Sequence, residues 1–422
     1  MSKIIKTGIP WLPEMSERFS VGYVKQYFHI SKDLSNDGEP ERVLKLARAG
    51  IVEKDVTTNE GQMAASYSGY NKVQVGDLLL NPMDLYSGAN CNVSELEGVI
   101  SPAYSNLRAK KSNTVVPKFY DYYFKSQYWL MAMFAHGKGV SFDNRWTLNN
   151  DSLRTYEIPV VPYAEQEKIV EHIQTEERKV DALIANVQAQ IEKLKAYKQS
   201  VITETVTKGL DPNAPMKDSG VEWIGVINSS YAVNPIKSIF KIKKDIIGRE
   251  PETVLSITQN GLKIKNISEN EGQMANSYAN YQIVNIGDFA MNHMDLLTGG
   301  IGISEYEGVT SPDYRVFVKK NPDYNSRYFL YLFEMYYRNK IFYAFGQGAA
   351  NIGRWRLPAQ NFNTLDIPVP PVDEQHKIAK YLDGKCSQIN KLIEIKQKKI
   401  EKLVEYKKSL IYEYVTGKKE VV

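Results

Sequence analysis

Cysteine is nearly missing from this 422-residue sequence, with Cys91 and Cys386 the whole complement. Two thiols so far apart make neither a disulfide framework nor a zinc site, and a reducing, cytoplasmic compartment is expected. Histidine is almost as scarce: His29, His136, His172, His293 and His376 stand at no metal-ligand spacing. No apolar run approaches the roughly 18 residues of a membrane-spanning helix, so no membrane association is expected. The opening MSKIIKTGIPWLPEMSERFS lacks the apolar core and small-residue cleavage site of a signal peptide. No G-x-x-x-x-G-K-[ST] phosphate loop occurs, and the clustered carboxylates of a nuclease are absent as well. Charge of one sign is also lacking: 53 Lys+Arg face 49 Asp+Glu, a net of +4. That balance does not describe a protein that coats nucleic acid.

What the sequence does have is itself, twice. Gly8-Ile9-Pro10-Trp11 returns as Gly220-Val221-Glu222-Trp223, and VGYVKQYFHISK (21–32) returns as VNPIKSIFKIKK (233–244). GQMAASYSGYNKVQVGDLLLNPMDL (61–85) matches GQMANSYANYQIVNIGDFAMNHMDL (272–296), and EGVISPAY (97–104) matches EGVTSPDY (307–314). GKGVSFDNRWTL (137–148) matches GQGAANIGRWRL (346–357). IPVVPYAEQEKI (158–169) matches IPVPPVDEQHKI (367–378), and EKLKAYKQSVI (192–202) matches EKLVEYKKSLI (401–411). The offset drifts only from 212 to 209 along the chain, so each half carries one complete unit. None of the five histidines has a histidine counterpart in the other half.

Each half begins with short β-branched and aromatic runs broken by Gly-Asp and Ser-Pro, the pattern of strands and turns. Aromatics at helical spacing predict helices over 119–136 and 328–345. The glycines at 299, 300 and 302, and at 346 and 348, lack a strand–GxGxxG–helix setting and read as turns. Each half then ends in a long stretch without proline. In the first, Val180, Ile184, Val187, Ile191 and Leu194 step 4, 3, 4, 3, the spacing of a heptad seam. In the second, Ile389, Ile393, Ile400 and Leu403 repeat it, with Lys396 in the slot of Val187. An unbroken helix over 163–208 would reach roughly 69 Å. The expected architecture is α+β: two tandem mixed α/β domains, separated and joined by two long antiparallel, coiled-coil-like helices in a pseudo-two-fold repeat. The expected boundaries are 1–160 and 212–369 for the domains, and 161–211 and 370–422 for the helices.

Asn81-Pro82-Met83-Asp84 is the nearest approach to the Asn-Pro-Pro-aromatic motif of amino-methyltransferases. It lacks the second proline and the aromatic, and its repeat reads Asn292-His293-Met294-Asp295. Charge is unevenly spread. Residues 1–162 hold 18 Lys+Arg against 17 Asp+Glu and residues 212–373 hold 16 against 16, whereas residues 374–422 hold 12 against 7. Near-neutral domains would hold DNA weakly on their own, which implies partners that add phosphate contacts. Glycine-flanked polar loops offer the best contact candidates: Lys138, Asn144 and Arg145 in the first half, and Gln347, Asn351 and Arg354 in the second. Arg pairs with guanine edges and Asn or Gln with adenine. The alternative is that Arg145-Trp146 and Arg354-Trp355 recur because they pack the domain.

The doubled I-P-x-x-P-x-x-E-Q-x-K-I and E-K-L-x-x-Y-K-x-S-[VIL]-I segments, within a whole-chain repeat, resemble the DNA specificity subunits of type I restriction–modification systems. The resemblance implies two target recognition domains, each reading one half of a bipartite duplex target, with the helix pair setting the spacer. It implies two modification subunits docked on the helices, carrying S-adenosylmethionine and methylating adenine. Restriction subunits with ATP- and Mg-dependent translocase and nuclease activity would complete the assembly. This chain would hold no cofactor, no metal and no catalytic residue of its own. The recognition subunit of another multisubunit restriction enzyme and a stand-alone DNA-binding regulator remain the competing readings.

Overall fold

The computed structural model describes residues 3–35, 42–47, 50–57, 64, 66–83, 85–86, 90–139, 146–259, 261–266, 275–348 and 355–421. The chain divides into two compact units. One takes residues 1–188 together with 397–422, and the other takes residues 189–396.

In the first unit, Phe28–Ser31, Ser105–Ala109, Leu78–Leu80 and Cys91–Val93 form an antiparallel four-stranded sheet in that order. Its middle strands are short, with Leu78, Leu80 and Leu107 almost without exposure. The helix Pro117–Trp129 packs on this sheet through Phe119, Tyr120, Tyr123 and Phe124. Gly50–Glu53, Val43–Ala47, Gly98–Ile100 and Asn71–Val73 form a second sheet, in which Gly98–Ile100 runs parallel to Val43–Ala47. The proline-marked Glu157–Val160 pairs with Ser20–Tyr23 and leads into the long helix Tyr163–Lys208.

The second unit repeats this plan. Phe240–Lys243, Arg315–Lys319, Phe289–Met291 and Ile301–Ile303 make its four-stranded sheet, covered by the helix Ser326–Arg338. Asp366–Val369 pairs with Ala232–Pro235 and leads into the long helix Val372–Val415. The fold is the α+β arrangement with two long helices that the repeat implied.

The aromatic helices are shorter than their spacing predicts. The first ends at Trp129, and a separate turn, Ala132–Ala135, follows Met131, whose φ is 57°. The second ends at Arg338, and Lys340, with φ of 58°, precedes Ile341–Ala344. A left-handed residue with a side chain is a sterically costly helix break. It is held here by packing on its C-terminal side, where Met133 and Phe342 have no exposed surface.

The ends of the long helices belong to the domain cores. Leu410, Ile411 and Val415 are buried among the aromatic residues of the first unit, and Thr416 accepts the Ser16 amide through its carbonyl at 3.0 Å. Ile202 and Val206 do the same in the second unit, where Tyr328 donates its hydroxyl to the Val206 carbonyl at 3.1 Å. Within the first unit Lys407 reaches Asp181 and Glu177 while Tyr414 packs on His172, so the two helix segments run antiparallel. Within the second unit Lys198 meets Asn390, and Lys396 donates to Gln190, in the same sense. Val180, Val187, Ile191 and Ile389 are buried; Ile184, Leu194, Ile393, Ile400 and Leu403 are half-buried.

Candidate nucleic-acid interface

The shared sequence motifs serve as scaffolding. In each Gly-Asp turn the glycine takes positive φ, 91° at Gly76 and 89° at Gly287. The following carboxylate accepts a backbone amide of the turn, Gln74 on Asp77 and Asn285 on Asp288, both at 2.9 Å. It is then neutralised by a cation from a neighbouring strand: Arg108 meets Asp77 in a two-pronged contact at 2.8 and 2.7 Å, and Lys243 meets Asp288 at 2.8 Å. In the proline–Glu-Gln segments the glutamine is the clamp. Gln166 accepts the Val116 amide at 2.8 Å and donates to the carbonyls of Thr114 and Val161. Gln375 accepts the Asn325 amide at 2.9 Å and donates to the Pro370 carbonyl. The asparagine of each Asn-x-Met-Asp segment closes a turn, Asn81 on the Met83 amide and Asn292 on that of Met294.

One shared segment has the same build in the two units but different side chains. Lys138 bridges Thr147, and Gln347 bridges Arg356, through paired backbone hydrogen bonds. The tryptophans pack inward: Trp146 donates to the Phe134 carbonyl at 2.7 Å and Trp355 to that of Tyr343 at 2.6 Å. Gly137 and Gly346 lie so close beneath the indoles that a Cβ at either position would overlap Nε1. The next residue ties the segment to the Asn-x-Met-Asp turn, Leu148 donating to Pro82 and Leu357 to His293. Lys138 and Gln347 have exposed side chains. Asn144, Arg145, Asn351 and Arg354 lie outside the described residues.

Beside each of these segments runs a groove at the same place in the fold. In the first unit it is lined by Lys32, Asn71, Pro82, Tyr104, Ser105 and Thr147, among others. In the second, the equivalent positions are Lys244, Gln282, His293, Tyr314, Arg315 and Arg356. Tyrosine and lysine are kept, whereas proline, serine and threonine give way to histidine and two arginines. Arg315 is 5% exposed. Its Nη2 donates to the Leu357 carbonyl at 2.8 Å, its guanidinium lies 4.8 Å from the centre of the Phe362 ring, and its Nη1 has no partner. Burial lowers its pKa to about 10, so it stays charged at neutral pH. His293 is held neutral, its pKa lowered to about 3 by burial and by the nearby charges of Arg315, Arg356 and Lys244.

Comparison with known proteins gives a family likeness for the second repeat. Residues 228–405, almost the whole of the second repeat, match the family model of the type I restriction modification DNA specificity domain. That stretch of the chain is similar to the specificity domain.

A putative type I restriction enzyme MjaX specificity subunit from Methanocaldococcus jannaschii is 26% identical over 262 residues, 60% of this chain. The match spans 56% of that relative's length. In structure, this chain is similar to one solved for complex assembly and conformational transition of the type I R-M system. The TM-score is 0.65 at 13% identity, covering 95% of this chain and 98% of that one.

The groove arginines stand one position away from motifs that the two repeats share. Arg315 follows S-P-D-Y where Ser105 follows S-P-A-Y, and Arg356 follows Arg-Trp where Thr147 does. A residue that changes between halves beside a segment that does not was the available signal. Attention to glycine-flanked loops passed it by. Among the described residues no group of His, Cys, Asp and Glu is placed to hold a metal ion, and no helix is long and apolar enough to cross a membrane.

Proposed function

We propose that the chain is the non-catalytic DNA-recognition subunit of a type I restriction–modification complex, each domain reading one half of a bipartite target. The observation that carries this reading is the pair of grooves. They sit on equivalent strands and turns of two units with the same plan, yet one is lined by Pro82, Ser105 and Thr147 and the other by His293, Arg315 and Arg356. A scaffold kept constant around a changed lining is what reading two different half-sites requires, since base edges are told apart by donor and acceptor pattern.

The long helices set the spacer and dock two modification subunits. In support, Leu183, Leu392, Ile395, Tyr197 and Tyr406 leave large apolar surface exposed on them. S-adenosylmethionine is carried by the modification subunits, and ATP and Mg by restriction subunits that complete the cytoplasmic complex. Double-stranded DNA is then held chiefly by the assembly, in keeping with the near-neutral domains.

The test is the pattern of adenine methylation in host DNA, sequenced with and without this gene. Loss of one bipartite motif is the expected result. Replacing residues 1–155 with the corresponding domain of another family member should then change one half of that motif. Methylation that is the same with and without the gene overturns the reading.

A further inference from the structure

We propose that the groove of the second unit holds a phosphate group of the DNA backbone on Arg315, Arg356 and Lys244, a contact that the first unit does not make. This rests on the DNA-recognition reading above and adds to it which groove grips the backbone and with which atoms.

The central observation is Arg315. Its guanidinium is buried, and one arm is fixed by the Leu357 carbonyl while the Phe362 ring supports the plane. The other arm, Nη1, is buried without a partner in a residue that borders the groove, so a small shift of the side chain or its cover brings it to an anion there. A buried cationic donor without a partner is costly, and an anion accepting that N–H offsets the cost. Arg356 and Lys244 line the same groove with exposed side chains, so their charge adds to that of Arg315. Lys243, also in the lining, is already neutralised by Asp288 at 2.8 Å. Among the described residues lining the groove the acid is Asp313, which leaves three cations without an ion-pair partner against one carboxylate.

The field these cations create is felt at His293, whose ring borders the groove and is kept neutral in part by them. Its Nδ1 is buried and has no partner. The group that fits is small, anionic and rich in acceptor oxygens, and a guanidinium fork matches a phosphate geometrically. The first unit has Ser105 and Thr147 at the two arginine positions, so its groove has one cation of the three, Lys32. The two half-sites are therefore gripped unequally, with more of the salt-sensitive affinity on the second.

The experiment measures binding of a short random-sequence duplex to the 422-residue chain across a salt series. The variants are Arg356→Ala and Lys244→Ala, both at exposed positions, with Thr147→Ala as the control in the other groove. Each lost phosphate contact should flatten the plot of log K against log salt by about 0.9, and the control should leave it unchanged. Arg315→Gln, which keeps a donor but removes the charge, should flatten it similarly while circular dichroism reports an intact fold.

A second arm titrates inorganic phosphate and follows the His293 ring resonance. Phosphate bound on the arginines cancels their field and should raise the pH at which His293 titrates. A wild-type chain that binds duplex with a slope unchanged by Arg356→Ala and Lys244→Ala overturns the phosphate site and leaves the recognition reading standing. A chain that takes up inorganic phosphate through these residues, with no duplex able to displace it, overturns DNA as the source of the phosphate and leaves to the methylation test the recognition reading, in which the assembly holds most of the DNA.

Discussion

The side-chain carbonyl of Gln166 accepts the backbone amide of Val116 at 2.8 Å, joining the start of a long helix to the start of an aromatic helix fifty residues away in sequence. Gln375 makes the same bond to Asn325. Both glutamines are without exposed surface. A segment first noticed as a repeated string of letters is thus a buried clamp between two elements.

Gln166→Ala strands three backbone groups, the buried Val161 carbonyl and the half-buried Val116 amide and Thr114 carbonyl. The expected loss is about 3 kcal/mol of stability, read by urea unfolding. Gln375→Ala should cost somewhat less, with one amide and one carbonyl left unpaired. A Gln166→Glu variant should not rescue the loss, because a carboxylate has no N–H for either carbonyl.

Gly137→Ala and Gly346→Ala each place a methyl against an indole Nε1 that is hydrogen-bonded to a carbonyl. The tryptophan has to give way, at an expected cost of about 1–3 kcal/mol. Its fluorescence should shift as Nε1 leaves the Phe134 or Tyr343 carbonyl. Gly8→Ala, where φ is 76° but nothing stands near the added methyl, should leave the spectrum unaltered and cost only backbone strain.

His293 makes the second unit sensitive to acid. Its native pKa is about 3 against an ordinary 6.5, so between these values the unfolded chain binds a proton that the folded chain refuses. Stability therefore falls as the pH drops through about 6.5 and goes on falling toward 3. The groups facing the ring are Arg315, Arg356 and Lys244, all cationic throughout this range, with Asp313 also in the groove. His293→Gln should flatten the dependence by close to one proton. Equal slopes for the two proteins over that window would count against the buried neutral ring.

The plan of the molecule could be read from repeated strings because hydrophobic spacing and turn residues act locally. The strand after Gly76-Asp77, the proline-marked entry to each long helix and the seam spacing from Val180 to Leu194 are all of this kind. What could not be read depends on residues distant in sequence. The break at Met131 and Lys340 is imposed by packing, and neither residue has a local preference for positive φ. Arg315 lies in a strand, where a charged residue normally points to solvent. Only the tertiary fold shows it buried over Phe362 with one arm free. The glycine-flanked loops picked for DNA contact carry Lys138 and Gln347 on exposed backbone bridges, and Gln347 stands opposite Arg356, a groove residue.

The bond from the Ser16 amide to the Thr416 carbonyl has a consequence for the order of biosynthesis. The core of the first unit includes Leu410, Ile411 and Val415, which leave the ribosome after the whole of the second unit. Residues 1–188 are made before the second unit, yet their hydrophobic core stays open at one side until the residues that follow the second unit have been synthesised. The second unit is continuous from residue 189 to residue 396 and has every part of its core in hand well before then. The domain translated first is the one completed last, and for that interval its exposed apolar surface is a target for chaperones and proteases.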